Sequence, residues 1–166
     1  MALAMYIGGE NSFGWRVPQA IMGTLSILLV YFLALEIFKD RKLSLMASAI
    51  FSLDGLLLVL SRMGMNDTYV LFFSLLSILL FIRSKNIWSF VAFGLAIASK
   101  WSAIYTLPVL FVSHFVFKKK ISISYIFFLI IPILVYVSSY GLMFSTGHTW
   151  SQFIEVQKQM WWYHTN

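Results

Sequence analysis

Cysteine is absent from this chain, and charged residues make up only 11% of its 166 residues. Without cysteine the chain can form no disulfide bond and no thiolate metal site, and the redox compartment cannot be inferred. The scarcity of charge accompanies 60% hydrophobic residues and a mean hydropathy of +0.85, well above an ordinary soluble domain. We therefore predict an integral membrane protein whose partner is the lipid bilayer.

Long apolar runs alternate with short polar turns along the chain. A helix needs about 20 apolar residues to cross a bilayer, and the first run has that length. Pro18 suits the first turn of this helix, where its missing N–H is no loss. The predicted fold class is all-α, a polytopic transmembrane helical bundle of about six crossings. The crossings are predicted over residues 17–38, 43–61, 68–82, 87–99, 101–117 and 121–145.

Basic residues mark one side of this predicted bundle. They form three clusters between apolar runs, at residues 39–42, 83–85 and 118–120. Positive charge is typical of cytoplasmic loops, and six alternating crossings bring all three clusters to that side. A single long helix over 87–117 would put the last cluster outside, so we predict a turn near residues 99–101. This pattern accounts for the net charge of +6 without a nucleic-acid partner.

The last segment of the chain differs from the crossings. At helical spacing its apolar residues share one face, which only Gln157 interrupts, while polar residues fill most of the other face. This pattern predicts an amphipathic helix over 150–163 that lies in the outer membrane interface. Residues 1–145 are then the transmembrane helical domain, and residues 146–166 are an extracytoplasmic interfacial segment.

The turn between the second and third crossings carries Arg62 and Asp67. Either charge costs several kcal/mol in hydrocarbon, so the turn should lie at the outer membrane face or in a wet cavity. The run 87–99 spans only about 20 Å, so Lys100 should lie somewhat below that surface or in a cavity. Arginine and lysine both suit an anionic lipid or a phosphate. Asp67 leaves a divalent cation, a sugar hydroxyl or an arginine open as its partner, since one carboxylate does not define a metal site.

Asp54 is expected well inside the apolar run 43–61. A carboxylate there must face a partner or a cavity, or stay protonated. Its separation from Arg62, about 12 Å along a helix, excludes a direct pair. A structural contact between helices and a catalytic role both stay open for Asp54.

The sequence also predicts roles for three further residues. Glu36 lies one turn before Lys39 and Lys42, and should pair with them at the inner surface. His148 should be a surface residue, because no second histidine has metal-ligand spacing. His164 follows a dense aromatic group, and both a surface role and a site role stay open for it.

Five segments resemble, in this order, motifs of the protein O-mannosyltransferases. These are GT-C-type integral membrane glycosyltransferases that use a polyprenyl-phosphate mannose donor. Any one motif alone would be weak, but five in order over nearly the whole chain are specific. The five are Phe13-Gly-Trp-Arg-Val-Pro18, Ser52-Leu-Asp-Gly-Leu-Leu-Leu58, Ser61-Arg-Met-Gly-Met-Asn-Asp67, Ala98-Ser-Lys-Trp-Ser102 and Met160-Trp-Trp-Tyr-His-Thr165.

The resemblance implies transfer of mannose from a lipid phosphate to a Ser or Thr hydroxyl of an acceptor protein, with inversion at the sugar carbon. Such a reaction needs a carboxylate to take the hydroxyl proton and cations to stabilise the departing phosphate. The resemblance makes Arg16, Arg62 and Lys100 the expected donor-phosphate residues. The residues expected to support the active site are Asp54, Asp67, Trp101, Tyr163 and His164.

The sequence also departs from the family pattern. Family members begin with an earlier transmembrane helix and an outer loop whose Asp-Glu pair supplies the catalytic base, and they continue beyond the Tyr-His motif. We therefore expect an internal fragment that is inactive alone, with its catalytic base upstream of Met1. No residue of this chain, Glu10 included, is assigned as the base, and a divalent cation stays open.

Other function classes also stay open. A transporter or flippase for a polyprenyl-linked sugar would use a similar outer set of charges, although few polar positions line a path across the midplane. A purely structural membrane subunit is another alternative. Within the GT-C group no motif defines the donor sugar, so an aminoarabinose or glucose donor stays open. The absence of cysteine and the compact loops favour a prokaryotic plasma membrane over the endoplasmic reticulum.

Overall fold

The computed structural model describes residues 11–63, 65–117 and 127–165. Within these ranges the ordered elements are all helical, so the all-α prediction is confirmed. The elements are α1 (Ser12–Phe38), α2 (Arg41–Ser52), α3 (Gly55–Leu60), α4 (Asp67–Ile82), α5 (Asn86–Ser99), a 3-10 helix (Trp101–Tyr105), α6 (Thr106–Phe117), α7 (Phe127–Ser139), α8 (Gly141–Ser145) and α9 (Trp150–Thr165).

In the described part of the chain, one helix is long and apolar enough to cross a membrane, at Arg16–Phe38 of α1. Shorter apolar helices cover Asp67–Ile82, Asn86–Ser99, Trp101–Phe117 and Phe127–Ser139. The prediction of six full crossings is therefore not confirmed by length and composition.

The start of α1 differs from the expected boundary. The Asn11 side chain accepts a hydrogen bond from the Gly14 N–H at 2.9 Å, which satisfies a donor that a helix N-terminus leaves unpaired. Because this cap starts the helix at Ser12, Pro18 lies in the second helical turn. The sequence predicted the first turn. The expected position of Pro18 was therefore wrong.

The predicted crossing over 43–61 is interrupted at Asp54, which lies in a break between two helices. Helix α2 ends at Ser52, and the Asp54 carboxylate accepts a hydrogen bond from the Leu57 N–H at 2.8 Å as the N-cap of α3. Asp54 is exposed in this break, and its hydrogen-bonding partner is the backbone of the next helical turn. The new helix starts here because aspartate is among the best N-cap residues, and Asp54 is followed directly by Gly55.

The connection between α1 and α2 is tight and charged. Lys39 adopts a left-handed conformation with φ of 55°, and Asp40 caps α2 by accepting hydrogen bonds from the N–H groups of the next helical turn. Glu36 pairs with Lys39 as expected, and its second partner is Arg83 rather than Lys42, each at 2.8 Å. This contact links the C-terminal ends of α1 and α4.

The predicted turn near residues 99–101 is confirmed. Helix α5 ends at Ser99, Lys100 is extended with φ of −165° and ψ of 139°, and a 3-10 helix follows before α6. The alternative of one continuous helix over 87–117 is therefore wrong. The last predicted crossing is broken at Tyr140 between α7 and α8, and residues 118–126, which include the third basic cluster, lie outside the described residues.

Helix α4 is central to the packing. It contacts α1, α5 and α6, while α5 also packs against α7 and α1 also packs against α2. A core of Phe81, Phe90, Phe93 and Leu110 joins α4, α5 and α6, and Phe128 of α7 packs on it. The second core group, between α1 and α4, comprises Leu29, Leu33 and Leu79.

Small residues bring these helices close together. The hydroxyls of Ser77 and Ser89 each donate a hydrogen bond to the other residue's carbonyl, at 2.9 and 2.8 Å, which pins α4 to α5. At Gly94 of α5, an added Cβ would lie 2.8 Å from Val135 Cβ and 2.9 Å from Pro132 Cα. Small residues and hydroxyl pairs of this kind are typical of membrane helix interfaces.

Replacing Gly94 with alanine should separate α5 from α7. The new methyl group would meet backbone of α7 that cannot yield cheaply, so we expect a loss of about 1–3 kcal/mol in the free energy of unfolding, despite the better helix propensity of alanine. Gly55→Ala is the matched control, because nothing lies within 4 Å of its added Cβ. Thermal unfolding of both purified variants in detergent would test this, and equal midpoints would contradict it.

The Asp40 cap should stabilise α2. Asp40→Ala removes the acceptor of two N–H groups, so we expect unfolding to become easier by about 1 kcal/mol. Asp40→Asn keeps a capping oxygen and should remain within a few tenths of a kcal/mol of the parent chain. Chemical unfolding followed by circular dichroism measures both. A loss in Asp40→Asn as large as that in Asp40→Ala would assign the effect to charge and not to capping.

Candidate functional site

A cavity of about 660 Å³ opens where α5 ends and the 3-10 helix begins. Aromatic and aliphatic side chains make most of its wall, and among the described residues that line it Lys100 is the one with a charge. The lining residues are Ile97, Lys100, Trp101, Ser102, Ile104, Tyr105, Pro132, Ile133, Tyr136 and Trp161. We call this space the Lys100 cavity.

Lys100 lies in the break between two helices. Its Nζ is 2.7 Å from Oδ1 of Asp67, the first residue of α4. Asp67 is well placed there, because a carboxylate in the first turn interacts favourably with the helix dipole. The two side chains are 44% and 34% exposed, so solvent weakens their attraction. The pair therefore orients the lysine side chain, and its ammonium group remains accessible from the cavity.

A hydrogen-bond network fixes several side chains at the wall of the Lys100 cavity. The Trp101 indole Nε1–H donates to the Tyr136 hydroxyl at 2.8 Å, and this hydroxyl donates to Oε1 of Gln157. The Tyr140 hydroxyl lies 3.2 Å from the same oxygen. The network joins the 3-10 helix, α7 and α9, so three separate elements hold Trp101 in one orientation.

Helix α9 is attached by side chains to α7, to α8 and to the residue that caps α8. Phe153 is buried against Tyr140 and Phe144, with ring centroids 5.0 and 5.7 Å apart, and Gln157 reaches Tyr136 one turn later. This attachment brings Trp161 to the wall of the Lys100 cavity. Gln157 interrupts the apolar face of α9 because it is the hydrogen-bonding partner of Tyr136.

The structure brings together three of the residues selected from the sequence, namely Asp67, Lys100 and Trp101. Sequence reasoning missed Tyr136, Tyr105 and Trp161 as parts of the same cavity. The polar interruption at Gln157 was the one available signal for a partner on α7, although it could not identify Tyr136.

The other selected residues whose side chains are described are not among the residues that line the Lys100 cavity. Arg16 is exposed near the start of α1, and Arg62 is exposed in the turn after α3. Asp54 caps α3, and Tyr163 is 78% exposed on α9. His164 lies in the last turn of α9, and its side chain is outside the described part.

The described side chains form no cluster that could hold a metal ion. Within ranges 11–63, 65–117 and 127–165, no three histidine, aspartate or glutamate residues are grouped. His148 is exposed and its ring lies 3.2 Å from the Gln152 side chain, as expected of a surface histidine. The chemistry available in the Lys100 cavity is therefore one cation, several hydroxyl or indole groups, and broad aromatic surfaces.

Comparisons with known proteins agree with the motif resemblance. A family model described as "Dolichyl-phosphate-mannose-protein mannosyltransferase" matches residues 2–147. A polyprenol-phosphate-mannose--protein mannosyltransferase of Corynebacterium glutamicum is 36% identical over 72 residues, which are 43% of this chain and 14% of that relative. The match thus spans about one seventh of the relative's length. No solved structure matches the chain. Because the family match covers most of the sequence, the chain belongs to the dolichyl-phosphate-mannose-protein mannosyltransferase family of glycosyltransferases.

Proposed function

We propose that this chain is part of a membrane enzyme that transfers mannose from a polyprenyl-phosphate-mannose donor to Ser or Thr hydroxyls of proteins. The observation that carries this proposal is the Lys100 cavity, which combines one cation with aromatic walls in a member of this family. The donor class follows the name of the Corynebacterium glutamicum relative.

Lys100 is the residue we assign to the donor phosphate. When the bond between mannose and phosphate breaks, negative charge accumulates on the departing lipid phosphate, and a cation fixed in advance stabilises that charge. Asp67 holds the ammonium group at 2.7 Å, and the partial exposure of both side chains leaves the lysine able to exchange the carboxylate for a phosphate oxygen. Asp67 is then a positioning residue.

The aromatic walls suit the sugar. Ligand pockets are commonly lined by apolar and aromatic side chains, with a few polar groups that set the orientation of the ligand. Trp101, Tyr105 and Trp161 supply the broad surfaces, and the Tyr136 hydroxyl is held by its partners on the 3-10 helix and α9. We assign no catalytic base among the described residues, and Asp67 has the role of positioning the lysine.

We further propose that the chain is a multi-pass membrane protein with the Lys100 cavity at its extracytoplasmic side, in a prokaryotic plasma membrane. The charges on α4 support this topology. Asp67 pairs with Lys100 at one end and Arg83 with Glu36 at the other, and the 16 residues of α4 span about 24 Å between them. Helix α9 would lie in the outer interface, with Trp150 and Trp162 exposed towards lipid.

The first test of this function is donor binding, which does not depend on a catalytic base. Lys100→Met should weaken binding of polyprenyl-phosphate-mannose about tenfold, because a charge-assisted contact to the phosphate is lost. Asp67→Asn should change binding less than threefold, since the lysine keeps its charge. Binding of radiolabelled donor to the chain in nanodiscs, measured by scintillation proximity, gives both values.

Lys158→Met is the matched control for this experiment. Lys158 is an exposed lysine of α9 that does not line the Lys100 cavity, so its loss tests for a general effect of positive charge on the donor. Equal weakening in both lysine variants, or unchanged binding in Lys100→Met, would contradict the assignment of Lys100.

The topology has an independent test, because the chain contains no cysteine. Met63→Cys should react with a membrane-impermeant maleimide in intact cells, whereas Lys85→Cys should react only after permeabilisation. Both side chains are exposed and lie in turns at opposite ends of α4. Labelling of Lys85→Cys in intact cells, with Met63→Cys protected, would reverse the orientation.

A further inference from the structure

The end of α4 opposite the Lys100 cavity carries a concentration of positive charge. Two segments meet there, residues 39–42 where α1 ends and α2 begins, and residues 83–85 between α4 and α5. The Glu36 carboxylate joins them, because one of its oxygens lies 2.8 Å from Lys39 Nζ and the other lies 2.8 Å from Arg83 Nε. Glu36 and Arg83 are 47 residues apart in the sequence, so this surface forms only when α1 packs against α4. We call the two segments the basic patch.

The positive charge of the basic patch exceeds what its carboxylates balance. Five basic and two acidic residues give the surface a net charge of +3, namely Lys39, Arg41, Lys42, Arg83 and Lys85 against Glu36 and Asp40. Asp40 is engaged by backbone N–H groups at the start of α2. Arg41, Lys42 and Lys85 are exposed, and none of the ion pairs between described residues includes them. These three cations are therefore available to an anion from outside the chain.

Helix α2 has the polar and apolar faces of a soluble helix reversed. Its buried residues are Ser44 and Ser48, and it packs against α1. Met46 and Ile50 are 60% and 70% exposed, and they follow Lys42 at intervals of four residues, so the three share one exposed stripe. A helix in contact with water would carry polar residues along such a stripe. The stripe therefore suits contact with lipid, and it begins at a cation of the basic patch.

We propose that the basic patch binds the headgroup of an anionic phospholipid, with its phosphate at Arg41 and Lys42 and its acyl chains beginning along Met46 and Ile50. Lys85 supplies a further cation to the headgroup from the segment between α4 and α5. Guanidinium and ammonium groups both bind phosphate, and basic residues next to a membrane attract anionic lipids. The inference uses no residue of the Lys100 cavity and rests only on the proposed location in a membrane.

The cations and the apolar stripe together select this occupant. An acidic peptide or a free phosphate would neutralise the cations but leave the stripe on α2 uncovered. A zwitterionic lipid would cover the stripe but bring no net charge to balance the patch. Trp88 lies three residues after Lys85 and is 66% exposed, and tryptophan is enriched at the depth of lipid headgroups. On the proposed topology, this lipid belongs to the inner leaflet.

The experiment compares phosphatidylglycerol with phosphatidylcholine of the same acyl chains. Native mass spectrometry of the purified chain in a neutral detergent counts the lipid molecules that remain bound at each lipid concentration. Phosphatidylglycerol should be retained at about tenfold lower concentration, because its negative charge has no cation within the headgroup to neutralise it. An excess of inorganic phosphate should displace little of this lipid, since phosphate cannot cover the apolar stripe.

Two double variants with the same change in net charge locate the effect. Arg41→Gln/Lys42→Gln should reduce the preference for phosphatidylglycerol to less than about twofold. Arg62→Gln/Lys158→Gln removes two exposed cations outside the basic patch and should preserve the preference. Arg41→Lys keeps the charge and should preserve most of the preference as well. All four side chains are exposed, so none of these substitutions removes a buried contact.

Each contrary outcome overturns the proposal. Equal retention of the two lipids would show that the basic patch does not prefer an anionic headgroup. Equal losses in the two double variants would assign the preference to the overall charge of the chain. Efficient displacement by inorganic phosphate would leave a phosphate site without a lipid. None of these results bears on donor binding at Lys100, and failure of the donor test would leave this lipid preference unchanged.

Discussion

The restriction of charge to the two ends of α4 organises this structure. Between Asp67 and Arg83 the helix carries only apolar and hydroxyl side chains, and α1, α5 and α6 pack directly against it. An ion pair closes each end, Asp67 with Lys100 and Arg83 with Glu36. These pairs contribute little stability at their exposure, but each fixes the position of a neighbouring helix end. The site forms at one of these ends.

The Lys100 cavity depends on a break in the helical backbone. A continuous helix through residue 100 would carry the lysine side chain along the α5 surface, whereas the extended residue directs the chain into a 3-10 turn. Non-helical backbone at the depth of a membrane is tolerated where it lines a cavity or is buried in protein. The same break therefore gives the site both its cation and the adjacent Trp101 indole.

The sequence predicted this break, the all-α class and the amphipathic α9, because each produces a pattern within a few neighbouring residues. One helix over 87–117 could be rejected because it would place the third basic cluster on the side opposite the other two. Hydropathy did not reveal the break between α2 and α3, because an average over several helical turns of leucines does not detect a single N-cap residue. The Tyr136 network was unpredictable for another reason: Trp101 and Gln157 lie 35 and 21 residues from Tyr136, and only the packing of α7 brings the three together.

Helix length connects the site to its proposed substrate. Helix α5 has 14 residues and spans about 21 Å, less than the roughly 30 Å of a hydrocarbon core. On the proposed topology, Arg83 marks the inner surface, so Lys100 lies several ångströms below the outer one. A lipid phosphate can reach that depth while its chain remains among apolar side chains, and a water-soluble sugar phosphate would have to leave water to do so. The short helix and the single paired lysine thus both favour a donor that approaches from within the bilayer.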